Sequence, residues 1–305
     1  MFIVNPDPYL LPTFRISPFA TSFLSENENL PIDHFADSYL DNKFDNKPWV
    51  YTISGRQAIV QALQNYNLAP TDVVTILTTS GNKYISSCVT NSIEKFCKWN
   101  REISADTKII FINHEFGYPF QQMEEVLALN IPIIEDCCTT FFSQDENNKL
   151  GKYGDYTIYS LPKFFPIQVG GILVANNNKP LPSTDLINDE EKQYIQKVIS
   201  FHLQQEKKLL AKRNDNFKYA INKFSSLGFT PRFETKATTV PSVLLLNNNA
   251  IVKDLNALKI HFNKYGIQNS IFYGEDAFFI PNHQSLSYDN IDYLFNCLVQ
   301  FLKNQ

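Results

Sequence analysis

No apolar run in this 305-residue chain approaches the roughly 20 residues that a helix needs to cross a bilayer. The opening stretch, MFIVNPDPYLLPTF, has neither a basic start nor an unbroken apolar core, so no targeting segment is expected and the protein is expected in the cytoplasm. Concentrated positive charge is missing as well. The 27 Lys and Arg against 31 Asp and Glu give a net charge of −4, scattered along the chain, which leaves no footprint for nucleic acid. The cysteines, Cys88, Cys97, Cys137, Cys138 and Cys297, form no CxxC pair, and the histidines form no HxxH or HExxH. No metal is therefore expected, and the thiols read as reduced. What remains is a chain with 44% hydrophobic residues, long enough for one large globular domain and a smaller one.

The richest stretch is residues 131–171, IPIIEDCCTTFFSQDENNKLGKYGDYTIYSLPKFFPIQVGG. The run Ile131 to Ile134 reads as a buried parallel strand that stops at Glu135-Asp136. A second run, Tyr156 to Tyr159, leads through Ser160-Leu161-Pro162 to Lys163, and a third follows Gly170-Gly171. Open α/β sheets bind ligands beyond the carboxyl ends of their strands, which places Asp136 and Lys163 at one crevice. One chemistry that uses such a pair is that of pyridoxal 5'-phosphate (PLP). There an amine condenses with the cofactor aldehyde and a carboxylate keeps the pyridine nitrogen protonated. Taken alone, the two residues would more often be a capping acid and a solvated turn lysine, and it is the order and spacing of the whole stretch that changes the balance.

Upstream, residues 1–48 read as an N-terminal arm of loops with one short helix. Trp49 to Ile53 reads as a strand, and the turn Ser54-Gly55-Arg56 opens a helix over Ala58 to Leu63. Free N–H groups and the positive end of the helix dipole make that turn a seat for a phosphate, with Arg56 adding charge, in preference to the alternative of a plain N-cap at Ser54. Val73 to Thr79 is a strand, Ile85 to Trp99 reads as helix, and Lys108 to Ile112 is a strand running into Asn113-His114-Glu115-Phe116-Gly117. This alternation predicts a mainly parallel, doubly wound sheet over residues 49–180. Residues 181–305 then supply a long helical region, Glu190 to Phe224, whose charges read as a solvated face, and a smaller α+β domain. Its elements are a strand at 240–246, a helix at 255–265, strands at 267–273 and 278–281, and a closing helix to Leu302.

In order and spacing these features resemble the DegT/DnrJ/StrS-type aminotransferases, PLP enzymes of fold type I that mostly aminate keto-sugars on nucleotide carriers. The matching residues are Ile134-Glu135-Asp136, Gly154-Asp155, Tyr159-Ser160, Lys163 and Gly170-Gly171, with His114, Phe116 and Gly117 in the loop before them and Pro281-Asn282-His283 near the end. The resemblance implies PLP as cofactor. It makes Lys163 the catalytic lysine and Asp136 the partner of the pyridine nitrogen. Tyr84 would be the ring that stacks on the pyridine, and Thr139 would lie beside the cofactor. Ser54, Gly55, Arg56 and Ser160 would hold the phosphate, and Cys137-Cys138 would be small residues packed beneath it. His114 and His283 are weaker substrate-binding candidates. It further implies a homodimer, a glutamate donor and a nucleotide-linked keto-sugar acceptor in polysaccharide biosynthesis.

Three departures stand against this pattern. Ser160 lies three residues before the lysine instead of five, Thr139 replaces a Gln or His, and the segment after the Gly-Gly strand that reaches a partner subunit is not recognisable in 176–205. Two other readings therefore remain: a shortened relative that binds a partner without catalysing, and a PLP enzyme of another reaction type.

Overall fold

The computed structural model describes residues 12–182 and 186–305. The first eleven residues of the N-terminal arm, and residues 183–185, lie outside that description. Seven strands form the large sheet: β1 Trp49–Thr52, β2 Val73–Thr78, β3 Lys98–Asn100, β4 Thr107–Asn113, β5 Ile133–Asp136, β6 Tyr156–Ser160 and β7 Gly171–Ala175. Their spatial order is β1-β7-β6-β5-β4-β2-β3. The neighbours from β6 through β3 run parallel, and only β7 runs antiparallel to its neighbours β6 and β1.

Burial on both faces dictates the apolar character of the central strands. In β4, Ile109 and Phe111 enter one core cluster and Ile110 and Ile112 the other, all at 0% exposure. The first cluster is covered by α3 Gly55–Gln64 and α4 Ser87–Ile93, the second by α5 Met123–Leu127. A consequence of the parallel run is that β2, β4, β5 and β6 all deliver their carboxyl ends to one edge, which is where the site forms.

The small sheet is antiparallel, in the order β10-β11-β9-β8, from β8 Thr230–Pro231, β9 Val243–Asn247, β10 Ser270–Ile271 and β11 Ala277–Pro281. The two-residue period of β9 divides its side chains cleanly. Leu244 and Leu246 pack under α7 Glu206–Ser225, α8 Leu255–Lys264 and α9 Tyr288–Leu302. Val243 and Leu245 face the other way, onto a cluster that includes Phe272, Tyr84 and Phe116. That second face brings the small sheet against the large sheet's carboxyl edge. Among the described residues no helix is long and apolar enough to cross a membrane.

Three local expectations are corrected. The described part of the arm holds two helices, α1 Phe23–Glu28 and α2 Phe35–Lys43. Ala36, Leu40 and Phe44, spaced four apart, form a buried stripe against Ile195, Val198 and Ile199 of α6 Asp189–Leu203, a stripe hidden in the sequence by the surrounding Pro, Asn and Asp. The helix expected over 85–99 ends at Ile93, because Lys98 to Asn100 leave it to pair with β2 as an edge strand. The region 190–224 is two helices, α6 and α7, and its charges are not all solvated, since Arg213 is 0% exposed.

The Gly-Gly pair has a steric purpose. A Cβ on Gly171 would stand 2.6 Å from the Ser54 carbonyl carbon and 2.7 Å from the Gly55 nitrogen, so β7 runs directly against the turn that opens α3. Gly170 N–H donates to Ile53 O at 2.7 Å, and Leu161 N–H donates to Gly170 O at 3.1 Å, tying the 54–55 turn and the 160–163 turn to the same pair. Gly171→Ala is expected to lower stability by about 2–3 kcal/mol in urea denaturation, since backbone atoms cannot yield as a side-chain end can. A loss below about 0.5 kcal/mol would contradict this packing.

Candidate active site

The acid pair at the end of β5 divides its labour, because successive side chains of a strand face opposite sides. Glu135, fully buried, turns into the scaffold. Its carboxylate accepts N–H groups from Gly151 (3.0 Å), Tyr153 (2.7 Å) and Gly154 (2.8 Å) and pins the loop before β6. His114 joins it: Nδ1 accepts the Phe120 N–H at 3.0 Å, so the proton sits on Nε2, which donates to Glu135 Oε2 at 3.3 Å. His114 is 1% exposed and does not line the cleft, a correction to its expected substrate contact. Its ligand atoms lie within 4.8 Å of those of Glu135 and Cys137, but the imidazole and the carboxylate are already engaged by the protein's own groups.

Asp136 takes the other side. Its Oδ2 accepts from Asn113 Nδ2 at 2.9 Å and its Oδ1 from the Cys138 N–H at 3.0 Å. It is 5% exposed, and no cation stands within ion-pair distance among the described residues. Burial pushes its carboxyl above the usual range, while the Cys138 hydrogen bonds and the charge of Lys163 pull against that shift. A buried acid supported by two donors but no cation is a seat for a positive group.

Lys163 closes a single 3-10 turn, Leu161–Lys163, whose Leu161 is buried and whose lysine is exposed. It lines a cavity of about 180 Å³ with Tyr84, Asn113, Glu115, Thr139 and Ser242, between the two sheets. Its ammonium has no carboxylate partner among the described residues, yet its charge reaches Asp136, Cys138 and Cys88. Lys163 thus lies in the cleft, and the buried Asp136, bonded to the cleft residue Asn113, is within reach of its charge. Tyr84 lines that cleft from the loop before α4, its ring 5.9 Å from Phe272 and 5.9 Å from Tyr273. Thr139 donates its hydroxyl to His114 O at 2.7 Å.

At the other end, Ser54 Oγ accepts the Gln57 N–H at 3.2 Å, so that hydroxyl caps α3. Gly55 allows close contact: a Cβ there would stand 2.9 Å from Cys138 Sγ and 3.2 Å from Ser160 Cβ. Arg56 is exposed and its Nη2 donates to Cys88 Sγ at 3.0 Å. Burial raises the Cys88 pKa, but hydrogen bonds from Arg56 and Ser86, with the charges of Arg56 and Lys163, outweigh it and bring the thiol below its ordinary value. Positive charge therefore collects where α3 begins. The arrangement fits PLP on its own terms: an uncompensated buried acid for the ring nitrogen, an unpaired amine for the aldehyde, and a glycine turn with an arginine for the phosphate.

His283 stands elsewhere. It is 4% exposed, its Nε2 donates to Arg15 O at 3.0 Å, and it holds the arm whose Ile16 forms part of the cleft wall. The expectation of a substrate contact is corrected, since the ring reaches the cleft only through that arm. Sequence reasoning passed over Asn113 and Glu115 as cleft residues. A signal was present for Asn113, a polar residue ending the strand beside β5 and in register with Asp136.

Burial, with help from the Arg213 charge and against the Arg15 hydrogen bond, lowers the His283 pKa from 6.5 to about 3. Below pH 6.5 the unfolded chain binds a proton that the folded one refuses. Stability contributed by this group is therefore full above that pH and falls by about 1.4 kcal/mol per unit toward pH 3. In urea titrations, His283→Gln should narrow its stability gap to the wild type by about 3 kcal/mol between pH 7 and 4. Parallel curves would contradict the buried neutral imidazole.

Comparison with known proteins agrees with this geometry. Residues 95–184 match the model of the DegT/DnrJ/EryC1/StrS aminotransferase family, a span that holds Asp136 and Lys163 but not the 54–56 turn or Tyr84. No curated protein matches the sequence. Among solved structures, the aminotransferase TlmJ from Streptoalloteichus hindustanus superposes with a TM-score of 0.74 at 13% identity, over 95% of this chain and 99% of that one. The aminotransferase from Psychrobacter cryohalolentis gives 0.65 at 15% identity, over 95% and 99%. The E. coli GDP-4-keto-6-deoxy-D-mannose-3-dehydratase, with bound hydrated PLP, gives 0.63 at 14% identity, over 95% and 100%. At such identities the likeness is one of fold. Residues 95–184 are thus similar in sequence to the DegT/DnrJ/EryC1/StrS aminotransferase family, and the chain shares the fold of solved aminotransferases over nearly its whole length.

Proposed function

We propose that the chain is a PLP-dependent aminotransferase that moves an amino group from glutamate to a keto-sugar carried on a nucleotide. The observation that carries this reading is that the exposed Lys163, which has no carboxylate partner among the described residues, lies within charge reach of the buried Asp136, which has no cation at ion-pair distance among them. The family match over residues 95–184 supports the amino-transfer chemistry. When bound, PLP supplies an aldehyde and an electron-accepting ring.

The chain's own groups do the rest. Asp136, braced by Asn113 and Cys138, holds the proton on the ring nitrogen. Lys163 Nζ accepts the proton that leaves the donor's α-carbon and delivers one to the sugar carbon that gains the amine. Tyr84 and Phe116 keep one wall apolar and reduce access of water. Gly55 and Arg56 hold the phosphate end. With about 180 Å³ available, against roughly 300–1,000 Å³ for pockets that enclose whole drug-sized ligands, the nucleotide is proposed to lie outside the rim made by Ile16 and Tyr84.

A GDP-4-keto-6-deoxy-D-mannose-3-dehydratase shares this fold, and the family match over residues 95–184 favours amino transfer. The test is a half-reaction. Protein loaded with PLP and given glutamate should release one equivalent of 2-oxoglutarate, and Lys163→Ala should slow that release by about 10²–10⁴-fold. Release within threefold of wild type in Lys163→Ala would overturn the assignment.

A further inference from the structure

Helix α7 carries a charge that the fold has sealed in. Arg213 is 0% exposed, and among the described residues no carboxylate lies within ion-pair distance of it. Burial lowers its pKa to about 9, so it stays protonated at neutral pH. Its partners are all uncharged oxygens. Nε donates to Pro241 O at 3.2 Å, Nη1 to Gln284 Oε1 at 2.9 Å, and Nη2 to both Ser242 O at 3.1 Å and Lys163 O at 3.3 Å. The guanidinium carbon also lies 4.6 Å from the centroid of the Phe164 ring. Gln284 completes the grip by donating its Nε2 to Phe164 O at 2.7 Å.

Two consecutive carbonyls, those of Lys163 and Phe164, are therefore held from outside the large sheet. The same guanidinium holds the carbonyls of residues 241 and 242, and Ser242 lines the cleft opposite the lysine. A charge buried without an anion is expensive, several kcal/mol before hydrogen bonding offsets it. What this one gains is geometry: the planar guanidinium fork presents fixed N–H directions that a lysine ammonium on a flexible stem cannot reproduce. The 3-10 turn that it braces is anchored by the buried side chains of Leu161, Phe164 and Phe165, which leaves the carbonyls of Lys163 and Phe164 to be held by Arg213 and Gln284 while the lysine side chain lines the cleft.

We infer that Arg213 is a positioning residue for Lys163: it fixes the backbone of the lysine turn to the Pro241-Ser242 wall, and so sets the place and spacing at which Nζ meets a bound aldehyde. This rests on the reading of Lys163 as the reactive amine. Gln284 acts in the same direction through the Phe164 carbonyl.

The experiment compares wild type, Arg213→Lys and Gln284→Ala. Hydrogen exchange at the amides of Lys163, Phe164, Phe165 and Ile167 is read without cofactor. PLP affinity, and the fraction of borohydride-fixed adduct on Lys163, are read on the folded fraction. Arg213→Lys should speed exchange in that segment and weaken PLP binding by about tenfold or more, with Gln284→Ala showing a smaller loss of the same sign. A lower melting temperature with unchanged affinity and adduct fraction would mean a purely structural role and would overturn the inference. If Arg213→Lys does not fold, Gln284→Ala decides, and unchanged exchange and affinity there would overturn it too. Failure of the wild type to form an adduct on Lys163 would instead defeat the functional reading beneath it, so the two failures are separable.

Discussion

A carboxylate buried at the end of a strand with no cation beside it is the constraint on which the rest of the site depends. Asp136 sits at the carboxyl end of β5, and the polypeptide gives it one side-chain amide and one backbone N–H. Desolvation of an acid is costly enough that such a position survives only when something offsets it, and a protonated ring nitrogen is the group with the right charge. The parallel order of β2, β4, β5 and β6 serves the same position. It places Asn113 in register with Asp136 and brings the lysine turn past the end of β6 to the same edge.

Around that acid the scaffold is built from groups that never touch the cleft. Glu135 spends its whole carboxylate on three backbone amides and one histidine, which fixes the loop running into β6 and with it the direction of the lysine turn. The Gly170-Gly171 pair lets β7 lie against the 54–55 turn, so that turn, the proposed phosphate seat, and the lysine turn share one junction. Arg213 supplies the matching constraint from the opposite side, across from the large sheet. The small sheet is thereby more than a cover: Ser242 and Phe279 form cleft wall, and the backbone just before β9 is held by the residue that holds Lys163.

Much of this was legible in the residues because the large sheet is written in unbroken apolar runs, each ending in a polar marker. Ile131 to Asp136, Tyr156 to Lys163 and Gly170 to Ala175 give strand, site and turn at once, and the spacing of Lys163 from Gly170 carried the family resemblance. The smaller features were hidden for physical reasons. The stripe Ala36-Leu40-Phe44 lies in a segment whose Pro and Asn content reads as loop, and only tertiary burial against α6 makes it helix. Arg213 stands beside Lys212 in a run of charges, where a solvated face is the ordinary outcome. Nothing local distinguishes the one arginine that turns inward to four oxygens. The two histidines attracted attention as reactive residues, but pairing with Glu135 and with the Arg15 carbonyl requires contacts 21 and 268 residues apart in sequence.

The account's central claim is that Lys163 and Asp136 form one cofactor site, and it is tested most directly by loading the protein with PLP, reducing with borohydride and mapping the labelled peptide. The account predicts a visible absorption band before reduction and a single labelled peptide carrying Lys163, with the band shifted or lost in Asp136→Asn. No band, or label spread over Lys83 and other exposed lysines, would contradict it.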